Sequence, residues 1–169
     1  EDISINLIGK ILGAVEQNGL GDNTQIFYLS DHGDNIGERD LWGKSNFYEE
    51  SVGIPCIIKG PGIPVEKTVK TPVSVVDVCP TILKTAGITP EAKPGTSLVD
   101  LANAEDNLDR LVFSEYHAVG SATGAFMIHK GQWKLIYYVS MQPQLFNLAE
   151  DPEELCDLGV NPKYRGIRR

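Results

Sequence analysis

The sequence has 169 residues and a formal net charge of −8, with 41% hydrophobic and 22% charged residues. This length is sufficient for a domain with its own hydrophobic core. The acidic balance argues against a nucleic-acid binder or a protein of the membrane surface, and no apolar run approaches the length of a membrane span. Because the sequence begins at Glu1 with no initiator methionine and no signal-peptide pattern, we expect a fragment and predict no compartment, so that periplasm and cytoplasm both stay open.

Helices and short strands alternate in the first part of the predicted chain. The predicted elements are a helix over 3–18, a strand over 24–30, a functional loop with a short helical turn over 33–52, a strand over 54–60 and a helix over 75–86. Pro80 favours a start of the last helix near Asp77 rather than near Ser74. A helix followed by an apolar strand indicates an α/β layer, in which functional loops lie at the carboxyl ends of strands.

The second part of the sequence consists mainly of short strand-like segments. A polar, Pro- and Gly-bearing connection over 89–109 precedes it. The predicted elements are strands over 111–116, 125–128, 133–138 and 144–148, a hairpin turn over 129–132, and a last short helix beginning at Asp151. Closely spaced short strands with a hairpin turn indicate an antiparallel sheet.

A chemically suggestive pair follows the strand that ends at Ser30. Asp31 and His32 supply a carboxylate and an imidazole, a combination that suits a divalent metal ion able to polarise ester oxygens. Lys44, twelve residues after His32, suits a tetrahedral oxyanion. The spacing therefore favours hydrolysis of a sulfate or phosphate ester. A purely structural role, in which Asp31 caps a turn and Lys44 is solvated, is the alternative.

Three segments of the sequence resemble one known family, in order. The string SDHGDNIGERDLWGKSNFYEESVGIPCIIKGPG over 30–62 resembles the metal-site loop of the sulfatase family, within the alkaline-phosphatase-like superfamily. VVDVCPTIL over 75–83 resembles the helix that follows it in that family, and QLFNLAEDPEE over 144–154 resembles its near-terminal segment. The Asp-His form and SEYH over 114–117 are most similar to the choline-sulfatase and phosphonate-monoester-hydrolase branch.

This resemblance implies a fold and a division of the chain. The fold class is α/β: part of an alkaline-phosphatase-like sandwich with a smaller C-terminal antiparallel α+β subdomain. Residues 1–109 are expected to form the C-terminal part of the main α/β domain, including the metal loop, and residues 110–169 the small subdomain. The chain is expected to be the C-terminal portion of a sulfuric ester hydrolase.

The resemblance also implies roles for particular residues. Asp31 and His32 become metal ligands, with Ca²⁺ favoured by the family and Mn²⁺ an alternative because calcium prefers oxygen ligands. Lys44 becomes the catalytic residue that contacts the sulfate group, and Glu115 and His117 become substrate-binding residues. A hydrogen-bonded pair on an edge strand is the alternative for the last two.

The family takes its nucleophile from a formylglycine within a C/S-x-P-x-R motif, and this sequence contains no such motif. We therefore expect a missing N-terminal half of the same protein as the partner, a small-molecule sulfate ester as the substrate, and an inactive isolated chain. Self-association through an exposed sheet edge is a further expectation. The alternatives are a phosphonate monoester or phosphodiester hydrolase and a non-catalytic binding module.

The remaining charges have simpler interpretations. Glu38 and Arg39 are expected to pair with each other, either supporting the loop or on the surface. The glutamates at 49–50 and 153–154 are expected to be solvated or helix-terminal. The aromatic residues Trp42, Phe47 and Tyr48 are predicted either to line a pocket or to cover the core.

Overall fold

A computed structural model describes residues 3–89 and 94–168. The first part consists of helix α1 (Ile3–Gln17) and strands β1 (Ile26–Leu29) and β2 (Cys56–Lys59), with the short helix α2 (Glu49–Val52) between the strands. The two strands pair antiparallel, with Ile26 opposite Lys59. The predicted helix and both predicted strands of this part are confirmed, with somewhat shorter bounds. Within the described residues, no helix is both long and apolar enough to span a membrane.

The next helix begins with a capped turn. The Ser74 side chain accepts the N–H of Val76, while the Asp77 carboxylate accepts the N–H of Ser74, which forms a capping box. A 3₁₀ turn over Val75–Asp77 then leads into α3 (Val78–Thr85). The α-helix proper therefore starts beside Asp77, as predicted. The connection over 89–109 contains a helix that the sequence did not predict, α4 (Leu98–Asn103); residues 90–93 of that connection lie outside the described residues.

The second part of the chain contains a four-stranded antiparallel meander. Its strands are β3 (Val112–Tyr116), β4 (Ala125–Lys130), β5 (Trp133–Tyr138) and β6 (Gln144–Asn147), in this order across the sheet. All four predicted strands are confirmed. The helix predicted to begin at Asp151 is wrong: the Asp151 carboxylate accepts the N–H groups of Leu155 and Cys156 at 3.0 and 2.8 Å, closing a turn that does not continue into a helix.

The core lies on one face of this sheet. Its buried residues are Phe47, Ala125, Met127, Ile136 and Phe146. Phe47 comes from the loop that follows β1, so that loop is anchored in the core of the second part. Tyr48 packs against the same core, whereas Trp42 is 78% exposed. Phe47 and Tyr48 therefore take the predicted core role, and Phe47 also lines a cavity, whereas Trp42 takes neither role among the described residues.

A buried ion pair also joins the two parts. The Asp77 side chain is 1% exposed and lies 2.6 Å from the Arg110 guanidinium. Because a buried carboxylate needs a partner for its charge, this pair fixes α3 against the start of β3. The division into residues 1–109 and 110–169 as separate domains stays a prediction.

Candidate functional site

The site is built where β1 ends. The Ser30 hydroxyl donates to the carbonyl of His32 at 2.6 Å, and the His32 N–H donates to the Asp31 carboxylate at 3.0 Å. These local bonds turn the chain sharply at the strand end. The Asp31 side chain remains 84% exposed, so most of its oxygen lone pairs are free for another ligand.

The His32 ring is oriented by its own backbone. Its Nδ1 lies 2.8 Å from the Gly33 carbonyl oxygen, which can only accept a hydrogen bond. Nδ1 therefore carries a proton, and in the neutral ring the lone pair is on Nε2. That atom lies 3.4 Å from the nearer Asp31 carboxylate oxygen. A ring nitrogen held in this way by a carbonyl is the arrangement that metal-binding histidines use.

Residues 31–44, the Asp-His loop, close on themselves and bring Lys44 to the pair. Buried Asn35 closes the loop with two bonds: its backbone N–H donates to the Gly43 carbonyl at 2.9 Å, and its side-chain amide donates to the same oxygen. Gly37, with φ of 95°, makes the turn that this closure requires. The Lys44 ammonium consequently contacts His32 Nε2 directly.

The electrostatics of the pair favour a charged carboxylate. Slight desolvation raises the pKa of Asp31, but hydrogen bonds from backbone N–H groups and the electrostatic influence of the neighbouring His32 and Lys44 side chains outweigh it, so the pKa lies below its ordinary value. Asp31 is therefore ionised at neutral pH, the form that binds a cation.

The Asp-His pair and Lys44 line one cavity of about 460 Å³. Glu115 from β3 lines the same cavity. His117 is not among its lining residues: it lies 3.7 Å from the Glu115 carboxylate and packs edge-on against the Phe126 ring, 5.0 Å between centroids. The fold thus brings four of the five predicted site residues together, and connects His117 to them through Glu115.

The donor atoms fit part of a metal site. A carboxylate oxygen and an imidazole nitrogen with its lone pair on Nε2 suit a divalent ion of the manganese or calcium type. Among the described residues, no group of three or more His, Cys, Asp or Glu side chains is placed to hold a metal ion. Asp31 and His32 therefore fit as two ligands of a larger set.

Comparison with known proteins identifies the family. Residues 6–88 match the family model described as Sulfatase. The choline-sulfatase of Rhizobium meliloti (strain 1021) is 39% identical over 160 residues, which are 92% of this chain and 31% of that protein. Residues 6–88 of the chain are a sulfatase-family domain. Arylsulfatase K of Mus musculus is 38% identical over 91% of the chain and 30% of its own length, so the chain spans about a third of the length of the curated relatives it matches.

Solved structures confirm the fold. A protein solved in complex with its substrate, D-glucosamine-2-N,6-O-disulfate, superposes with a TM-score of 0.85 at 28% identity, covering 95% of this chain and 35% of that one. A phosphonate monoester hydrolase from Silicibacter pomeroyi superposes with a TM-score of 0.80 at 26% identity, with 95% and 35% coverage. The chain therefore has part of the alkaline-phosphatase-like α/β fold, as the family resemblance implied.

The sequence interpretation missed the charges that support this sulfatase loop. Arg39 does not pair with Glu38; its guanidinium donates to the Glu50 carboxylate at 3.2 Å and to the Glu154 carbonyl at 3.1 Å, and lies 4.3 Å from the centre of the Tyr48 ring. The bond to Glu154 ties the Asp-His loop to the segment after β6, and the bond to Glu50 ties it to α2.

A second missed cluster is buried. Lys134 is fully buried, and its ammonium lies 2.8 Å from a carboxylate oxygen of Glu49 and 2.8 Å from one of Glu154. We call these three residues the Lys134 cluster. Glu154 is 3% exposed, so its interpretation as solvated is wrong. One signal was present in the sequence: strand alternation places Lys134 on the same face as Ile136, which the core requires.

The buried carboxyl of Glu154 predicts a pH dependence of stability. Burial raises its pKa above the ordinary 4.5, although the Lys134 ammonium opposes this. The folded state therefore holds a proton on Glu154 at pH values where the unfolded state has lost it, so the free energy of unfolding falls as the pH rises from 4.5 through the folded pKa. Glu154→Gln should remove this slope in denaturant titrations, whereas Glu153→Gln, at an exposed neighbour, should keep it. Parallel profiles for Glu154→Gln and the parent would contradict the prediction.

Proposed function

We propose that this chain is part of a metal-dependent sulfuric ester hydrolase and carries part of its metal and sulfate site. The observation that supports this most directly is the shared cavity of Asp31, His32 and Lys44, with Lys44 in contact with His32. These are the residues that the family resemblance assigned to metal and sulfate. They come together through the closure of one loop at the end of β1.

Asp31 and His32 would hold a divalent cation, Ca²⁺ by family or Mn²⁺ because of the imidazole ligand. When bound, such a cation withdraws electron density from ester oxygens and neutralises their charge. Lys44 places a positive charge at the same cavity, where it can hold a sulfate oxygen and stabilise charge that develops on it. The Asp31 carboxylate, ionised at neutral pH, adds a negative charge at the same cavity that would bind the cation.

A further segment of the same protein would supply the nucleophile and the remaining metal ligands. In the sulfatase family that nucleophile is a formylglycine residue, and no C/S-x-P-x-R motif occurs in this sequence. The isolated chain is therefore expected to be inactive. Glu115, at the cavity wall, would contact the substrate, and it suits a cationic group there because its carboxylate is exposed. His117 would act beside it, through the contact the two side chains share.

A second candidate function is hydrolysis of phosphonate monoesters or phosphodiesters. The superposition on a phosphonate monoester hydrolase supports it. Sulfate and phosphonate monoesters are both tetrahedral anions, and Asp31, His32 and Lys44 suit either. The third candidate is a non-catalytic binding module, and the experiment that follows also distinguishes it from the two hydrolases.

The test is a comparison of matched substrates on the product of the complete natural coding region. We expect hydrolysis of 4-nitrophenyl sulfate that stops with EDTA and returns with Ca²⁺ or Mn²⁺, at a higher kcat/KM than for 4-nitrophenyl phenylphosphonate. The reverse preference would move the assignment to the phosphonate hydrolases. No metal-dependent hydrolysis of either ester would overturn the catalytic proposal.

A further inference from the structure

Helix α2 holds one end of the Asp-His loop. The backbone carbonyl of Ser51 accepts the N–H of Gly33 at 2.8 Å. Its hydroxyl, in a residue only 2% exposed, accepts the side-chain amide of Asn35 at 3.2 Å. Gly33 directly follows His32, so a displacement of α2 moves the histidine that faces the cavity.

The same helix controls the other end of the loop through Asn35. That residue is 1% exposed and binds the Gly43 carbonyl with its backbone N–H and its side chain. Gly43 precedes Lys44. His32 and Lys44, which both line the cavity, are thus placed by bonds that converge on α2.

The Lys134 cluster holds the start of α2. Glu154 accepts the backbone N–H of Glu49, the first residue of α2, at 2.7 Å. Its other oxygen and the Glu49 carboxylate both lie 2.8 Å from the Lys134 ammonium. The cluster therefore joins β5, the segment after β6 and the start of α2 at one buried point.

Charge balance makes Lys134 the critical member of this cluster. The Glu154 side chain is fully buried and the Lys134 side chain is 1% exposed. Without the ammonium, two carboxylates would face each other with little water to screen them. Two responses relieve this repulsion: Glu154 takes up a proton, which removes its ion pair, or the start of α2 moves, because Glu49 is 42% exposed and free to turn toward water.

We propose that Lys134 is a positioning residue of the sulfatase site: its ammonium group, held between Glu49 and Glu154, fixes α2 and thereby the positions of His32 and Lys44. The catalytic consequence rests on the proposed function. The effect on the Asp-His loop does not, because it follows from the hydrogen bonds of this chain alone.

The test uses Lys134→Met, which removes the charge at similar volume, and Glu154→Gln, a milder change that remains informative where the first variant folds poorly. Lys84→Met is the matched control, because Lys84 pairs with Asp100 on the surface and both side chains are about half exposed. Hydrogen exchange is followed in peptides that cover residues 31–45, and kcat and KM are measured per folded molecule in the complete enzyme.

We expect faster exchange at the amides of Gly33 and Asn35 in Lys134→Met, a decrease in kcat of roughly 100-fold, and recovery of both in Lys134→Arg. Glu154→Gln should change exchange in the same direction, and Lys84→Met should change neither quantity. Faster exchange confined to β5 and β6, with kcat per folded molecule unchanged, would show a local packing role and overturn the inference. A parent enzyme without sulfatase activity but with loop exchange that depends on Lys134 would overturn only the proposed function.

Discussion

Lys44→Met is expected to lower kcat/KM for sulfate esters by about 100- to 1,000-fold in the complete enzyme, the range seen when one preorganised donor to a developing oxyanion is removed. The ammonium lies at the cavity that Asp31 and His32 also line, and it contacts His32 Nε2. A positive charge at this place stabilises a sulfate group more as negative charge accumulates on its oxygens. The loss should therefore fall mainly on kcat, with KM changed less.

Two control variants separate this role from general effects of charge. Lys130→Met removes an exposed lysine at the end of β4 and should leave kcat/KM unchanged. Lys44→Arg keeps the charge but replaces a compact ammonium by a larger planar fork, so only partial activity is expected. Steady-state kinetics on all three variants provide the measurement, and full activity in Lys44→Met would remove this lysine from the site.

Residues that act through neighbours in the sequence were predictable. Asp31 and His32 are adjacent and follow an apolar strand, so their common location at its end needs no knowledge of the rest of the fold. The strands of the meander were equally accessible, because alternation and turn residues are local signals. Family resemblance added Lys44, whose contact with His32 then follows from the closure of the loop by Asn35.

Residues that act through long-range contacts were not predictable in the same way. Two partners of Arg39, the backbone carbonyls of Glu153 and Glu154, lie more than 100 residues away, and no local sequence pattern reports a contact over that separation. Charged pairs adjacent in sequence suggested solvated surface. Of the four glutamates at 49–50 and 153–154 only Glu154 is buried, because the segment after β6 packs against the Asp-His loop. The helix predicted at Asp151 failed for a local reason: the Asp151 carboxylate accepts the N–H groups of Leu155 and Cys156, which closes a turn.

Asp31→Asn should lower the affinity for Ca²⁺ and Mn²⁺ by more than about 100-fold, since loss of a direct ligand exceeds the 10- to 100-fold cost of losing a supporting partner. The substitution keeps the shape of the side chain and removes the negative charge that the low pKa of Asp31 maintains at neutral pH. Calorimetric titration of the metal-free complete enzyme gives the affinities. Asp22→Asn, at an exposed turn before β1, is the matched control and should bind as the parent does.

His32 should determine which metal is preferred. His32→Asn replaces a nitrogen ligand by an oxygen, so the ratio of Ca²⁺ to Mn²⁺ affinity should rise, because calcium favours oxygen while imidazole suits transition metals. Because Nδ1 is bonded to the Gly33 carbonyl, Nε2 is the ring nitrogen available to a metal, so the change in the affinity ratio reports on that atom. An unchanged ratio would mean that His32 does not touch the metal, and that its contact with Lys44 is its function instead.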